Sequence, residues 1–576
     1  MTSATEGPGK TQPDADEHRP GPAPAGRLAR HGPVIALVCE LIVATVFFVR
    51  QARRLWFFAD DWEFLLNRRL SNDTLDTLFR PHNEHWSTVP ILVFRTLFTS
   101  FGVRHYLPYA LVVIAAHIGV CVLLWLLLRR AGITAWISVG IVGVMAFLGA
   151  GSENILWDFQ IGFTGSVLFG LLALLAADRE GPFARRDGWA WAAALAGLMS
   201  SGIGLVMLGT LGLFVWLRRG WRPALAVTGV PAGVYLIWYA LIGHEVIAQE
   251  GTPGGKYLLV PRFIWTGLTN VWQQITGIPS SGALFLGALV VPLLFSRGRD
   301  RAANLAIAGA AGAVGLFVLT GLTRVRFGVA QANAWRYVYV AAVLLLPALA
   351  WAAQQVYQRA RQRRTLAGCA FAFVIVLLIV NGLQSAVIFT SFRRAIFAGR
   401  EERIIAAAAL ARSGEPVLSQ EPDHARDPDI TMAKLGRRDI RAAFGDVHPT
   451  PQGLLDARAA VQVGVSDTMF PAVPPAQGAS WNGVEGRLPT SGCTTGRITS
   501  SAPAILIPSG PQGGQLRLII AAESLTTSLI SGGQVSARIT WETTPGLATY
   551  VASIAPNAQL RIYLPKSGKV TVCVEA

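Results

Sequence analysis

The sequence has few charged residues for its length. Asp, Glu, Lys and Arg make up 15% of its 576 residues, against roughly 25% in an average soluble domain. Hydrophobic residues account for 52%, and the mean hydropathy is +0.43. This balance excludes a mostly soluble enzyme and a disordered chain. It indicates an integral membrane protein, because repeated apolar runs without charges belong in lipid.

Cysteine is also scarce, and five residues are too few for a disulfide framework. Cys39, Cys121 and Cys369 lie inside apolar runs, where we expect them to pack as small hydrophobic side chains. Cys493 and Cys573 lie in the polar C-terminal part. They would form one disulfide if that part lies outside the cell.

Acidic residues are outnumbered, with 34 against 50 basic residues and a net charge of +16. The basic excess falls in short clusters between apolar runs, so it indicates membrane topology rather than nucleic-acid binding. The clusters occupy every second connection, which places them all on the cytoplasmic side: Arg129–Arg130, Arg185–Arg186, Arg218–Arg222, Arg297–Arg301 and Arg359–Arg364.

The apolar runs predict an α-helical polytopic membrane protein of about eleven transmembrane helices in the plasma membrane. We expect a disordered cytoplasmic tail over 1–32, a transmembrane domain over 33–390 and an extracytoplasmic domain over 391–576. Within the last part, residues 400–412 are predicted to be helical. Short alternating strands from about 500 predict a β-sandwich or jelly roll. The outer loops are 50–106, 150–160, 243–279 and 321–336.

The most informative segment is the acidic pair Asp60-Asp61, which follows the first span and is framed by Trp56, Trp62 and other aromatic residues. Aromatic residues are expected at this depth as an interfacial belt. A carboxylate near the hydrocarbon is costly unless it is paired or functional. We therefore interpret the pair as functional; the alternative is an ordinary loop acid pair or a helix N-terminal charge.

An acidic pair in the first outer loop of a protein with about eleven spans resembles the GT-C glycosyltransferases, such as the protein O-mannosyltransferases and aminoarabinose transferases. The resemblance covers 33–390 in topology, and in motif only the neighbourhood of Asp60 and Asp61. It implies a sugar donor linked to polyprenyl phosphate and an acceptor in the cell envelope. It also implies that Asp60 or Asp61 acts as general base on the acceptor hydroxyl, or positions it, with Glu63 beside the pair.

Further along the same loop, His82 and His85 flank Glu84. On a helix the two histidines would share a face and offer ligands to a divalent metal. The spacing differs from the zinc-protease pattern, in which the histidines are four apart. We predict contact with donor or acceptor here, and a polar turn leading into a re-entrant helix at Pro81 is the structural alternative.

Two later outer segments add candidates for binding. The loop at 150–160 carries Glu153, Trp157, Asp158 and Gln160, and aromatic faces with amide groups suit a sugar ring; an interfacial anchor is the alternative role for Trp157. The segment 321–336 places three arginines on the outer side, where topology does not require them. These arginines are Arg324, Arg326 and Arg336, with Tyr337 adjacent. A clamp for the donor phosphate would explain their position, as would binding of anionic lipid headgroups.

The glycine-rich part of a third outer loop, around 251–255, is long enough for a lid over the site. The same loop carries His244, Glu245 and Lys256. No cofactor is evident from the sequence beyond the divalent metal considered above.

Two other functions compete with glycosyl transfer. A flippase or transporter would carry ionisable residues at mid-bilayer depth, whereas Glu40 is the clearest acid inside a predicted span. A polymerase or ligase of lipid-linked glycans would use outer-loop arginines without an early acid pair. The sequence therefore favours transfer of one sugar from a polyprenyl-phosphate donor to an envelope glycan, lipid or protein at the outer face, with no nucleic-acid partner.

Overall fold

The structure is a computed structural model. It describes residues 27–69, 74–244, 254–294, 300–360, 362–415, 417, 419–423, 426–445, 448–465, 480–485, 492–499, 501–509, 514–521, 524–542, 547–554, 556–564 and 569–574. Most of the tail predicted over 1–32, with Glu245 and residues 251–253, lies outside these ranges. The first described helix begins at Arg27, ahead of Pro33.

The described part of the membrane domain is helical. Its α-helices are α1 Arg27–Ala52, α2 Thr74–Phe79, α3 Thr88–Phe101, α4 Leu107–Arg130, α5 Ala135–Ala146, α6 Ser152–Leu156, α7 Ile161–Ala177, α8 Asp187–Leu198, α9 Ile203–Arg219, α10 Trp221–Trp238, α11 Val260–Thr276, α12 Gly282–Leu294, α13 Arg301–Arg324, α14 Trp335–Arg359 and α15 Arg364–Phe397. The outer segment predicted over 243–279 therefore contains a full helix, α11.

Seven helices in the described ranges are long and apolar enough to cross a membrane, and a bent pair, Ala135–Ala146 with Gly149–Leu156, would make eight. The other three predicted spans coincide with α8, α9 and α12, which have 12, 17 and 13 residues. These are shorter than the roughly 20 residues that a perpendicular crossing needs. The total of about eleven stays a prediction.

The bent pair brings the second outer loop back towards the bundle. Its bend of 48° lies beside Gly149, where an added Cβ would lie 1.9 Å from the carbonyl oxygen of Gly382. Only glycine lets the two backbones approach this closely. Helix α15 thus crosses directly over the break and fixes the start of the segment that carries Glu153 and Trp157.

The two ends of the bundle differ in composition. Helices α4, α9 and α14 run towards Arg130, Arg219 and Arg359, whereas α13 runs from Arg301 to Arg324 in the opposite direction. The predicted basic clusters at these helix ends therefore share one end. Arg324 and the start of α14 lie at the other end, together with the first outer loop.

The described C-terminal part continues with short helices and two antiparallel sheets. The helices are α16 Arg400–Ser413, α17 Met432–Leu435, α18 Arg438–Phe444 and α19 Pro451–Val461. The strands are β1 Val463–Val465, β2 Ser480–Asn482, β3 Val484–Glu485, β4 Gly492–Ile498, β5 Ala504–Pro508, β6 Gly514–Ala521, β7 Ser524–Ser531, β8 Gln534–Val535, β9 Ile539–Glu542, β10 Leu547–Ile554, β11 Ala558–Tyr563 and β12 Lys569–Val574.

The first sheet has the order β1-β10-β6-β12-β4-β3 and the second the order β2-β5-β11-β7-β8, with β9 also paired to β7. Because β10, β11 and β12 alternate between the sheets, the chain connects the two layers repeatedly. Cys493 and Cys573 occupy directly opposite register positions in β4 and β12. Their side chains lie outside the described part, so the predicted disulfide stays a prediction.

The alternating pattern that predicts strands from about 500 is interrupted at 536–538, between β8 and β9. Asp456 of α19 accepts the backbone N–H of Ala537 at 2.7 Å, and the Ser536 hydroxyl accepts that of Leu529 at 2.8 Å. Side chains thereby satisfy backbone groups that a continuous strand would pair with its neighbour. Helix α19 thereby contacts the edge of the second sheet.

Candidate active site

The segment after α1 is anchored by its aromatic residues. The Phe57 ring lies 4.8 Å from that of Tyr109, and the Trp56 and Trp62 rings lie 5.4 Å apart, all with edge-to-face geometry. Trp62 is fully buried. Such contacts fix large rigid side chains in one arrangement. The aromatic residues that frame the acidic pair in the sequence therefore hold this loop against the bundle.

Asp61 is buried and uses both of its carboxylate oxygens inside the protein. Its Oδ1 accepts the Trp157 indole N–H at 2.9 Å, and its Oδ2 accepts the Phe58 N–H at 2.8 Å. Burial raises the pKa of Asp61, and the adjacent Asp158 carboxyl raises this pKa further. Two buried carboxyls in contact cannot both ionise easily. Asp61 and Asp158 thus join the first and second outer loops.

Asp60 faces the opposite way, and its side chain is 42% exposed. Partial burial raises the pKa of Asp60, while the more distant guanidinium of Arg336 acts in the opposite direction. Its Oδ1 lies 3.8 Å from His82 Nε2. An accessible carboxylate with a raised pKa is suited to accept a proton from a bound hydroxyl.

The backbone before Asp60 has an unusual conformation. Ala59 has a φ of 49°, in the left-handed region that costs a residue with a Cβ about 1–2 kcal/mol. Its N–H donates to Asp427 Oδ1 at 2.5 Å, and Asp427 also pairs with Arg400 at the start of α16. The C-terminal part of the chain therefore supports the loop that presents Asp60.

The two loop histidines lie on a tight turn rather than on a helix. His82 and His85 exchange backbone hydrogen bonds of 3.0 Å in both directions, and Asn83 between them has a φ of 49°. The structural alternative placed the start of a helix at Pro81, but the helix that follows this turn, α3, begins at Thr88. The histidine side chains therefore do not share a helix face.

The two histidines have different surroundings. The His82 ring packs between Phe64 and Phe159, and burial lowers its pKa to about 4. His85 Nδ1 accepts the Gly202 N–H at 3.2 Å, and burial also lowers the pKa of His85. Burial thus favours the neutral form of both rings, and the bond accepted at Nδ1 of His85 places the proton of the neutral ring on Nε2.

Two arginines are each held by a glutamate. Arg324 pairs with Glu84. Burial alone would raise the pKa of Glu84. The nearby His85 and Arg324 outweigh burial, so the pKa of Glu84 is lowered. Arg336 donates to Glu153 Oε1 at 3.0 Å from its side chain and to Oε2 at 3.1 Å from its backbone. The carboxylates orient the two guanidinium groups and leave further N–H donors for a ligand.

These groups surround one cavity of about 640 Å³, here named the Asp60 cavity. Eight of the fourteen predicted site residues line it: Asp60, Glu84, His85, Trp157, Gln160, Arg324, Arg336 and Tyr337. The cavity shares Leu205 and Leu319 with an apolar groove of about 370 Å³ between α9 and α13. The charged Asp60 cavity thus adjoins an apolar groove between two helices of the bundle.

The other six predicted residues do not line the Asp60 cavity. Asp61 and Asp158 are buried behind it, and Glu153 and His82 support residues that line it. Glu63 accepts from Arg68 at 3.0 Å, which braces the first loop from within. Arg326 lies over the Phe327 ring at 4.6 Å. The Lys256 ammonium donates to the Arg326 carbonyl at 2.6 Å, so the described end of the expected lid contacts this segment.

In the part of the chain that the structure describes, no three His, Cys, Asp or Glu side chains come together as ligands for a metal ion. Asp60 and His82 approach each other as a pair only. These residues therefore do not fit a metal held by three protein ligands, and no step proposed below uses one.

Several residues of the site have no clear signal in the sequence. Tyr235, near the end of α10, and Tyr239, directly after it, line the Asp60 cavity. Their spacing of four residues in an apolar span places them on one helix face and is the only local signal for them. Asp427 contacts Ala59 across 368 positions of sequence. Local patterns carry no information about such a contact.

No family model and no curated protein matches the sequence. Among solved structures, the chain is similar to ArnT from Cupriavidus metallidurans bound to undecaprenyl phosphate, with 14% identity and a TM-score of 0.44, over 76% of this chain and 92% of that one. It is also similar to an Archaeoglobus fulgidus oligosaccharyltransferase tethered to an acceptor peptide, with 13% identity and a TM-score of 0.33, over 74% and 60%. Another similar structure is that of the arabinofuranosyltransferase AftD from Mycobacteria, with 12% identity and a TM-score of 0.37, over 95% of this chain and 61% of that one. With TM-scores below 0.5 and identities of 14% or less, these similarities assign no family, no substrate and no residue role to this chain.

Proposed function

We propose that the protein is a membrane glycosyltransferase that moves one sugar from a polyprenyl-phosphate donor to a hydroxyl of a cell-envelope acceptor at the outer face. The observation that carries this proposal is the Asp60 cavity. It combines one accessible carboxylate, Asp60, with two oriented arginines, Arg324 and Arg336, and it adjoins an apolar groove.

In the proposed reaction, Asp60 takes the proton from the acceptor hydroxyl as the acceptor oxygen attacks the anomeric carbon. The bond between this carbon and the donor phosphate breaks, and polyprenyl phosphate leaves with the bonding electron pair. Arg324 and Arg336 stabilise the charge on the phosphate, because guanidinium groups make charge-assisted bonds to phosphate oxygens. Attack from the side opposite the phosphate inverts the anomeric centre.

The glutamates and aromatic residues position these groups. Glu84 and Glu153 orient the two arginines. Trp157, Tyr235 and Tyr337 provide aromatic faces in the cavity wall against which a sugar ring stacks. The groove between α9 and α13 offers apolar surface for the first isoprene units of the donor. This arrangement keeps the lipid in the membrane while the sugar reaches Asp60.

The test is incubation of membranes that contain the protein with a panel of radiolabelled polyprenyl-phosphate sugars. Membranes without the protein serve as the control. We expect one donor to be consumed, with release of polyprenyl phosphate and label in an envelope product. Movement of a donor across sealed vesicles without cleavage would contradict the proposal and favour a flippase. Products that contain many repeating units per acceptor would favour a polymerase.

A further inference from the structure

A second cavity of about 520 Å³ lies on the other side of the segment that carries Asp60. Phe58 lines this cavity, Trp157 lines the Asp60 cavity, and their rings lie 4.3 Å apart as a partition between the two. Four arginines line the second cavity, which we name the Arg393 cavity: Arg54, Arg393, Arg394 and Arg400. Its volume falls within the roughly 300–1,000 Å³ of small-ligand sites.

The arginines retain unused donors. Arg393 stacks on Phe58, with its Cζ 3.4 Å from the ring centroid, and on three further aromatic rings at 5.2–5.3 Å. Among the described residues, no carboxylate lies within ion-pair distance of Arg54, Arg393 or Arg394. Arg400 is 5% exposed and pairs with Asp423 and Asp427, yet its Nη1 has no hydrogen-bond partner in the described part.

The lining also contains acids, which do not cancel this charge. Glu401 and Glu402 belong to the first turn of α16. Glu402 accepts the Thr450 hydroxyl at 3.0 Å, so one of its oxygens is already engaged outside the cavity. Arg400 is already paired with Asp423 and Asp427. Three guanidinium groups without an ion pair among the described residues therefore face two carboxylates around one opening. Such a surplus of planar forked donors is suited to a phosphate group.

The position of the cavity indicates a ligand that belongs to the membrane. Arg54 follows the end of α1 by two residues, and Arg393 and Arg394 lie in the last turns of α15. The turn before them exposes apolar side chains outward, with Phe392 63% and Ile388 65% exposed. The cationic opening thus lies where two apolar helices end, at the depth at which lipid phosphates are found.

We propose that the Arg393 cavity binds the phosphate of an anionic membrane lipid beside the loop that presents Asp60. Four aromatic rings hold the Arg393 guanidinium and leave the N–H groups at its edge available: Phe58, Trp157, Phe389 and Phe397. Arg394 and Arg54 add donors from two sides. The unpartnered Nη1 of Arg400 completes the site. A free phosphate compound would share this chemistry but would not use the apolar approach. The site binds its ligand independently of the transfer reaction.

The test measures binding to the purified full-length protein in detergent by the shift of its unfolding temperature. The probes are dioleoyl phosphatidic acid, dioleoyl phosphatidylcholine and soluble glycerol 1-phosphate. We expect phosphatidic acid to raise the unfolding temperature in a saturable way, and the other two probes to act only at much higher concentration. Equal effects of phosphatidylcholine or glycerol 1-phosphate would overturn the assignment to an anionic lipid.

The variant Arg393→Gln/Arg394→Gln should raise the apparent Kd for phosphatidic acid by at least about tenfold, because charge-assisted bonds are lost. The matched control, Arg129→Gln/Arg130→Gln, removes the same charge at the C-terminal end of α4, a helix of 24 residues that is about 36 Å long and begins next to the Arg393 cavity. This control should keep the wild-type Kd. Should the double variant fail to fold, the exposed Arg54→Gln replaces it, with an expected rise of about threefold. Unchanged affinity in the Arg393 cavity variants, or an equal loss in the control, would overturn the proposal.

Discussion

Asp60 and Asp61 are neighbours in the chain but have different surroundings and, in our account, different tasks. The carboxylate of Asp60 faces the Asp60 cavity, whereas both oxygens of Asp61 accept hydrogen bonds from Trp157 and Phe58. The sequence favoured the pair without separating its members, because two adjacent acids look alike until their burial is known. Their exposure supports Asp60 as the base and Asp61 as the residue that positions the loop.

The raised pKa of Asp60 gives a prediction for the pH dependence of transfer. A general base works in its ionised form, so kcat/KM should fall as the pH drops through this pKa and level off above it. The acidic limb should lie above the ordinary value of 3.8, because burial disfavours the charged carboxylate. Initial rates across a pH series measure this limb, and a limb at or below 3.8 would argue against Asp60 as the base.

Stability separates the two acids without any assay of activity. Asp61→Ala leaves two buried N–H donors without acceptors, so we expect a loss of about 2 kcal/mol or more in the free energy of unfolding. Asp60→Asn alters a half-exposed group and should leave the unfolding temperature nearly unchanged. Thermal unfolding of the purified protein compares the two variants. Equal stability of both variants would contradict the structural role assigned to Asp61.

At the scale of elements, the site is assembled from segments that are far apart in the chain. The segment that contains Asp427 supports Ala59, and the two outer loops meet through Asp61 and Asp158. Helix α13 supplies Arg324, and the start of α14 supplies Arg336. The C-terminal part of the chain is therefore part of the support for the site as well as an appended β-rich unit.

The contact between Asp427 and Ala59 can be tested by loss and rescue. Asp427→Ala removes the acceptor that stabilises the left-handed Ala59, so we expect the transfer rate to fall about tenfold. Adding Ala59→Gly should restore most of this loss, because glycine adopts a φ near 49° without a steric penalty. Rates of the single and double variants measure the effect. A double variant no faster than Asp427→Ala would contradict the proposed support.

Some elements could be predicted from the sequence and others could not, for physical reasons. The first span is visible as an uninterrupted apolar run, and the acidic pair and the arginines of 321–336 are visible because they depart from an apolar background. The break between β8 and β9 depends on Asp456 of a separate helix. The turn at His82 and His85 depends on mutual backbone hydrogen bonds, which side-chain spacing does not reveal. Contacts between distant segments decided most of the differences.

At the scale of the whole molecule, the proposed reaction requires that the first loop faces outward and the basic clusters face the cytoplasm. Single cysteines placed in a background in which all five native cysteines are replaced by Ser test this orientation. A reagent that does not cross membranes should label Asp76→Cys in intact cells, and Arg185→Cys only after the membranes are opened. Both positions are exposed in the structure. The reverse labelling pattern would contradict the proposed topology.

The proposed transfer depends above all on Asp60 as its general base. The most direct measurement is the initial rate of sugar transfer by purified protein, with the donor identified from the panel, for wild type, Asp60→Asn and Asp76→Asn. Asp76 is the matched control, because it is an acid of the same loop whose exposed pair with Arg80 contributes little. We predict a loss of at least about a hundredfold for Asp60→Asn and no change for Asp76→Asn. Transfer by Asp60→Asn at the wild-type rate would contradict the account.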